Sequence, residues 1–217
     1  MSYLLIFLVV SFVVSSVGWF YFIYFFSIGY GLSISALSIA TVAMYWNEMT
    51  LPVAILCGVL FVYGIRLALY LFIRERKSAS YKKILYQPEN TARKPIFVMF
   101  MIWISCALLY VGQMSPAAFY LDNLKEGLAV NEVWAWIGAV LATLGVLIEM
   151  VADAQKSAAK KVNPHRYVDT GLYRIVRCPN YFGEVLMWTG SFVICFGACC
   201  SVCNGLSHRW AISALYM

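Results

Sequence analysis

The residues best suited to chemistry lie in one stretch, residues 165–190, which reads HRYVDTGLYRIVRCPNYFGEVLMWTG. An apolar run follows Pro179, and proline is tolerated in the first turn of a helix, so we predict that a membrane helix begins there. Asn180 and Glu184 are then four residues apart and share one helix face. A carboxylate just inside the hydrocarbon boundary is costly, which makes Glu184 a functional candidate.

Two arginines, Arg174 and Arg177, precede this helix. The start of a helix offers free N–H groups and fixed positive charge, which favour a phosphate. In the alternative interpretation, the arginines only anchor the helix at the lipid headgroups. That alternative leaves Asn180 and Glu184 unexplained, so we interpret the stretch as a binding site for an anionic ligand.

The composition indicates what kind of scaffold positions these groups. The chain has 217 residues, of which 63% are hydrophobic and only 12% are charged, and its mean hydropathy is +0.78. A soluble domain cannot bury so much apolar sequence. We therefore predict an all-α, multi-pass membrane helix bundle, with residues 1–217 forming one integral domain in the lipid bilayer. Its membrane would be the endoplasmic reticulum in a eukaryote or the inner membrane in a bacterium.

Six apolar runs are long enough to cross a bilayer, which needs about 20 residues. They are residues 3–26, 28–46, 51–73, 96–114, 133–152 and 181–202. The first two are joined by a very short link, which predicts a tight helical hairpin. The serines of the second run, Ser33, Ser35 and Ser38, favour close helix packing. After the fourth run we expect a short loop that contains Pro116, Asp122 and Lys125.

The charges predict the orientation of these spans. Thirteen of the 16 Lys and Arg residues fall in two segments, residues 74–94 and 153–178. Spans four and five separate the two segments, so both lie on one side of the membrane, as the positive-inside rule requires of the cytosolic side. The net charge of +6 therefore indicates membrane topology and no nucleic-acid partner. Both termini are predicted on the opposite side.

The third span also carries polar groups on one face. Arg66, Tyr70 and Arg74 recur every four residues, and an arginine two turns inside a span rarely faces lipid. Tyr70 has a simpler interpretation as an interfacial aromatic. In the simpler interpretation of Arg66, its side chain forms a structural ion pair with Glu149 or Glu184. Glu149 lies a turn deeper than the charges that end the fifth span, so solvation alone does not explain it.

The seven cysteines lie mostly in apolar runs, where cysteine behaves as a small hydrophobic residue. The cluster Cys199-Cys200-x-x-Cys203 is suited either to lipidation or to a metal. The only histidines are His165 and His208, and neither has ligand spacing to the cluster. We therefore predict no metal site.

Together, the cytosolic ends of spans three, five and six predict a pocket for an anionic cofactor, with a membrane-embedded end for an apolar substrate. The segments LIEMVADAQK and GLYRIVRCPNYFGEVLMWTG resemble the C-terminal region of the steroid 5-alpha-reductase superfamily, in its DUF1295-type branch. The run RLALYLFIR resembles the same branch. The resemblance covers about residues 66–190. It implies a multi-helix membrane reductase that uses NADPH on a lipophilic enone or a sterol-like double bond.

The resemblance also implies roles for individual residues. Those matching the NADPH site are Asp153, Arg174, Arg177, Asn180, Tyr181 and Glu184. Those implied near the reacting atoms are Glu184, Tyr70 and Arg66. The implied chemistry is hydride delivery to the β carbon and proton delivery to the α carbon, while a protonated acid or phenol polarises the substrate carbonyl. The cofactor supplies the hydride, and the protein supplies orientation and electrostatics.

The chain departs from the family pattern in places. Cys178 stands where the branch usually has histidine, and the sequence ends before the family's further helix and closing basic-aromatic segment. The second departure leads us to expect a truncated member, with an inactive, non-catalytic member as one alternative. Another alternative is a methyltransferase of the isoprenylcysteine or phospholipid type, which binds S-adenosylmethionine and shares R-x-P-x-Y-x-G before a membrane helix. Asn180, Glu184 and the upstream Asp153-x-Gln155-Lys156 favour the reductase.

Overall fold

The computed structural model describes residues 2–77, 95–163 and 166–199, and the regular elements in these ranges are all helices. The α-helices are α1 (Ser2–Ser15), α2 (Ile28–Met44), α3 (Leu51–Lys77), α4 (Ile96–Lys125), α5 (Glu132–Val162) and α6 (Pro179–Val193). Short 3-10 turns cover Ser16–Trp19, Phe22–Phe25 and Gly171–Arg174. The predicted all-α membrane fold is confirmed.

Within the described residues, five helical stretches are long and apolar enough to cross a membrane. They are Phe22–Met44, Leu51–Arg74, Ile96–Lys125, Glu132–Val162 and Pro179–Cys199. The predicted first span is divided, since Tyr3–Trp19 forms a shorter apolar helix and Tyr21 is extended. The fully buried ring of Phe25 packs against Gly18 and, edge to face, against Trp19, and this packing stabilises the break.

The predicted loop after the fourth span is wrong, because α4 continues through Pro116 to Lys125. A proline inside a helix removes one backbone hydrogen bond. Membrane helices tolerate this loss because neighbouring groups and local adjustments of the backbone can satisfy the freed carbonyl. The segment is also buried, as Ala117, Ala118, Tyr120 and Leu121 have no exposed surface.

Local signals in the sequence explain where the helices that carry the site residues begin and end. The Asn131 side chain caps α5 by accepting from the Val133 N–H at 3.0 Å, and Lys160 and Lys161 complement the dipole in its last turn. Helix α5 therefore runs ten residues beyond the predicted end of span five, to Val162. Helix α6 begins at Pro179, as predicted. Residues 200–202 of the predicted sixth span lie outside the described residues.

The described residues form two compact units. The first is drawn from Met1–Met49 and Leu60–Ala118, and the second from Thr50–Val59 and Phe119–Met217. Helices α3 and α4 each contribute to both units. The single domain expected from the sequence stays a prediction.

Helices α2 and α3 pack closely in the first unit. A Cβ atom at Gly31 would lie 2.6 Å from the Gly64 carbonyl oxygen, so the two backbones touch. The Ser35 hydroxyl donates to the Phe61 carbonyl at 3.0 Å. Ser33, Ser35 and Ser38 are all buried, which confirms the packing role predicted for these small residues.

The predicted topology can be tested at Ser157, on the part of α5 that follows the apolar run. We expect a Ser157→Cys variant, in a background from which the seven native cysteines have been removed, to react with a membrane-impermeant thiol reagent from the cytosolic side only. Labelling from the opposite side only would contradict the orientation. Most of the first basic segment, residues 78–94, lies outside the described residues.

Candidate functional site

The second unit is built on an antiparallel contact between α5 and α6. Small residues allow the backbones to meet: a Cβ atom at Gly145 would lie 2.5 Å from the Gly183 carbonyl oxygen, and one at Gly190 would lie 2.6 Å from the Gly138 carbonyl oxygen. Spacings of seven residues on both helices keep this seam on one face. The seam fixes the register between the two helices and hence the placement of the residues at their polar ends.

Glu149 lies in this seam. It is only 5% exposed, and a Cβ atom at Gly183 would lie 2.8 Å from its backbone nitrogen. Gly183 immediately precedes Glu184, so the first two turns of α6 lie against the Glu149 turn of α5. Continuing the antiparallel register by one turn brings Asp153 level with the start of α6. Asp153, Asn180 and Glu184 are each half-buried.

The 3-10 turn Gly171–Arg174 approaches the same end of α5. Gly171 has a φ of +62°, a left-handed conformation that glycine adopts without strain. The Leu172 N–H donates to the Gln155 side-chain oxygen at 2.9 Å. The Tyr173 hydroxyl donates to the Ala152 carbonyl at 3.4 Å. Two neighbouring turns of α5 therefore hold the turn that carries Arg174.

The start of α6 is accessible to an anion. Arg174, Arg177 and Tyr181 are exposed, and the Cys178 side chain makes no capping hydrogen bond to the first turn of α6. No acidic residue lies in that turn. Backbone N–H groups at such a helix start carry partial positive charge and attract phosphates, and the two guanidinium groups add to this attraction.

The second unit also contains a cavity of 310 Å³ between the end of α5 and residues 166–170. Among its lining residues are Asn163, Arg166 and Asp169. Arg166 and Asp169 form an ion pair at 2.8 Å, and this hydrogen bond raises the pKa of Arg166. Each charge is therefore already balanced, and the lining contains none of the residues predicted to bind the cofactor. We do not assign the ligand site to this cavity.

Arg66 and Tyr70 lie on α3 in the first unit. Arg66 is half-buried, with its guanidinium carbon 6.0 Å from the Tyr63 ring centroid. Tyr70 is also half-buried, and the guanidinium carbon of Arg74 lies 5.7 Å from its ring centroid. The polar face predicted on this helix therefore has cation–π contacts along its length.

Across the described ranges, no group of three or more His, Cys, Asp or Glu residues is arranged to hold a metal ion. Cys199 is exposed. Cys200, Cys203 and His165 lie outside the described residues.

Gln155 belongs to the site, although the sequence predicted no role for it. It appeared only as part of the motif Asp153-x-Gln155-Lys156, and its hydrogen bond to Leu172 spans 17 residues. The signal available in the sequence was Gly171, because glycine permits a left-handed turn and a close approach by another chain segment.

Comparison with known proteins identifies the family. The model for DUF1295, described as a protein of unknown function, matches residues 13–217. The chain belongs to this family. The predicted DUF1295-type assignment is thereby confirmed, and the relatives described next support the steroid 5-alpha-reductase superfamily that the motifs resembled. No solved structure matches the chain.

Two curated relatives of this DUF1295 member are steroid 5-alpha-reductases. The chain is 32% identical over 111 residues to steroid 5-alpha-reductase DET2 of Arabidopsis thaliana, a match covering 43% of this chain and 40% of that protein. It is 28% identical over 109 residues to the protein of the same name from Gossypium hirsutum, covering 46% and 42%. The chain thus spans about 40% of the length of the curated relatives it matches.

Proposed function

We propose that this DUF1295 protein is an NADPH-dependent membrane reductase of a lipophilic enone or a sterol-like double bond. The observation that carries the proposal is the arrangement at the polar end of α5 and α6. There, two exposed arginines precede an uncapped helix start, and the half-buried Glu184 lies one turn further along. The curated relatives, named steroid 5-alpha-reductases, support the same reaction class.

The residues present fit a dinucleotide phosphate cofactor. Arg174 and Arg177 would hold its phosphates, since a guanidinium offers a planar fork and charge-assisted hydrogen bonds. The amide groups at the start of α6 would add to this attraction. Asp153 and Tyr181 complete the set of residues that we assign to the cofactor, together with Asn180 and Glu184.

Asn180 and Glu184 would orient the reactive ring. They share one face of α6, four residues apart, and both are half-buried. Asn180 offers a matching amide to the carboxamide of the nicotinamide, and Glu184 offers an acceptor. The roles of Arg66 and Tyr70 in polarising the substrate carbonyl stay predictions from the resemblance.

The chemistry that NADPH supplies when bound is a hydride. The overall reaction converts enone, NADPH and one proton into saturated ketone and NADP⁺. With NADPH bound, a C–H bond of its reduced ring would break and the hydride would add to the β carbon, a proton would add to the α carbon, and the double bond between these carbons would become single. The task of the protein is to align the reactants and stabilise the negative charge that develops on the carbonyl oxygen.

Arg177 provides a test of the phosphate role. We expect Arg177→Ala to weaken NADPH binding by roughly 10- to 100-fold, because a hydrogen bond to a charged group contributes about 1.5–3 kcal/mol. If this side chain contacts the 2′-phosphate, NADH binding should weaken less. Fluorescence titration of the purified variant with both cofactors measures the difference.

Arg166→Ala is the matched control, since it removes the same charge from a guanidinium already paired with Asp169. We expect it to bind NADPH like the parent. An equal loss for NADPH and NADH in Arg177→Ala would assign the side chain to the pyrophosphate. Unchanged binding of both cofactors would remove Arg177 from the site.

The choice of cofactor separates the proposed function from its alternatives. Purified protein in lipid nanodiscs is titrated with NADPH and, separately, with S-adenosylmethionine. The proposal predicts saturable binding of NADPH only. Binding of S-adenosylmethionine instead would indicate a methyltransferase, and binding of neither would indicate a non-catalytic member of the family.

A further inference from the structure

Gln155 caps a structural element that is distant in sequence. A 3-10 turn leaves its first N–H groups without partners inside the turn. In the turn Gly171–Arg174, the preceding residue, Thr170, makes no side-chain cap. The Gln155 side-chain oxygen accepts instead, from the Leu172 N–H at 2.9 Å. A helix in the membrane scaffold thus supplies the cap that the loop itself lacks.

The contact is close as well as polar. A Cβ atom at position 171 would lie 2.6 Å from the Gln155 amide carbon and 2.7 Å from its amide nitrogen. Only glycine leaves room for this amide, and Gly171 also has the positive φ of +62°. The Gln155 amide therefore rests directly on the Gly171 backbone, and the two residues fix each other's position.

The same turn carries the proposed phosphate ligands. Arg174 is its last residue, and Arg177 follows three residues later. Both side chains are exposed, so their location depends on where the turn is held. The contact from the Tyr173 hydroxyl to the Ala152 carbonyl, at 3.4 Å, is longer than an ordinary hydrogen bond. Gln155 therefore provides the stronger of these two links.

We propose that Gln155 is a positioning residue for cofactor binding, which fixes the turn Gly171–Arg174 and through it the guanidinium groups of Arg174 and Arg177. This inference rests on the proposed NADPH site. Glutamine suits the role because it accepts the hydrogen bond without bringing a negative charge close to a bound phosphate. A glutamate would also accept the bond, but its charge would oppose the ligand.

Two variants of Gln155 distinguish the effect of the hydrogen bond on NADPH binding from the effect of added charge. Gln155→Met keeps the length of the side chain and removes the acceptor, while Gln155→Glu keeps an acceptor and adds charge. In the full chain in nanodiscs, hydrogen exchange of the Leu172 amide is followed by mass spectrometry, and NADPH affinity by titration. Ala154→Met is the matched control, because Ala154 is the exposed neighbour on the same helix.

We expect Gln155→Met to speed Leu172 exchange and to weaken NADPH binding, each by about 5- to 10-fold, as the loss of one ordinary hydrogen bond implies. In turnover, KM for NADPH should rise while kcat at saturating cofactor stays near that of the parent. Gln155→Glu should keep Leu172 protected but still weaken NADPH binding. Ala154→Met should match the parent in both measurements. If Gln155→Met cannot be purified, Gln155→Asn, whose amide is one methylene shorter, carries the same expectation.

The two proposals fail in different ways. A parent protein that binds no NADPH contradicts the proposed function, whereas the exchange of Leu172 still shows whether Gln155 orders the turn. A parent that binds NADPH, with Gln155→Met binding it equally tightly, contradicts the positioning role. Leu172 exchange that is unchanged in Gln155→Met contradicts the capping contact on which that role depends.

Discussion

Gly183→Ala is expected to destabilise the pair of helices α5 and α6 and to lower the stability of the whole protein. The added Cβ atom would lie 2.6 Å from the Gly145 carbonyl oxygen and 2.8 Å from the Glu149 backbone nitrogen. Both are backbone atoms, so no side chain can rotate away and one helix must shift. Overpacking of this kind costs about 1–3 kcal/mol, and more where the backbone cannot move.

Thermal unfolding of the purified protein, followed by scanning fluorimetry, measures this loss. Gly58→Ala is the matched control, because Gly58 is also helical and its Cβ atom would meet nothing within 4 Å. Alanine is the better helix former, so the control should be as stable as the parent or slightly more so. Equal unfolding temperatures for Gly183→Ala and the control would contradict the close contact of the two helices.

Glu184→Gln is expected to lower turnover on the order of 100-fold while leaving the protein folded, a loss typical of removing one preorganised polar group from an active site. The glutamine keeps the shape and hydrogen-bonding capacity of the side chain but removes its charge. Glu184→Leu removes the acceptor as well, and it should therefore weaken NADPH binding in addition to turnover.

Glu126→Gln serves as the control for this charge change, since Glu126 is exposed and belongs to none of the proposed sites. We expect it to retain parental turnover. Enone-dependent oxidation of NADPH gives the rates, and titration gives the affinities. A Glu184→Leu variant as active and as stable as the parent would show that Glu184 contributes to neither cofactor binding nor turnover.

Local signals in the sequence predicted the helices where such signals exist. The start of α6 was predictable because Pro179 fits the first helical position and little else in a helix. The break after α1 was not, because residues 3–26 carry no proline or charge, and the Ser15, Ser16 and Gly18 at the boundary are also common inside membrane helices. The continuation of α4 through Pro116 was also missed, because burial of the following residues, which the sequence does not reveal, outweighs the lost hydrogen bond.

In the candidate site, too, the sequence predicted the features that depend on local spacing and missed those that depend on contacts between distant segments. Asn180 and Glu184 were predicted on one helix face because their separation is local, and α6 confirms that placement. The hydrogen bond from the Leu172 N–H to Gln155 depends on how the turn Gly171–Arg174 lies against α5. The burial of Glu149 against Gly183 depends on the register between α5 and α6. That register is set by two pairs of glycines distant in sequence, Gly145 against Gly183 and Gly138 against Gly190, and nothing local reveals which glycines meet.

The most direct test of the proposed reaction uses NADPH carrying deuterium on the hydride that is transferred. The purified chain in nanodiscs is incubated with this cofactor and a panel of lipid enones, and the products are analysed by mass spectrometry and NMR. The account predicts a saturated ketone with one cofactor-derived deuterium, located at the β carbon, and one NADP⁺ for each product. A reduced product without that deuterium, or a chain that binds NADPH and reduces no enone of the panel, would contradict the proposed reduction of an enone.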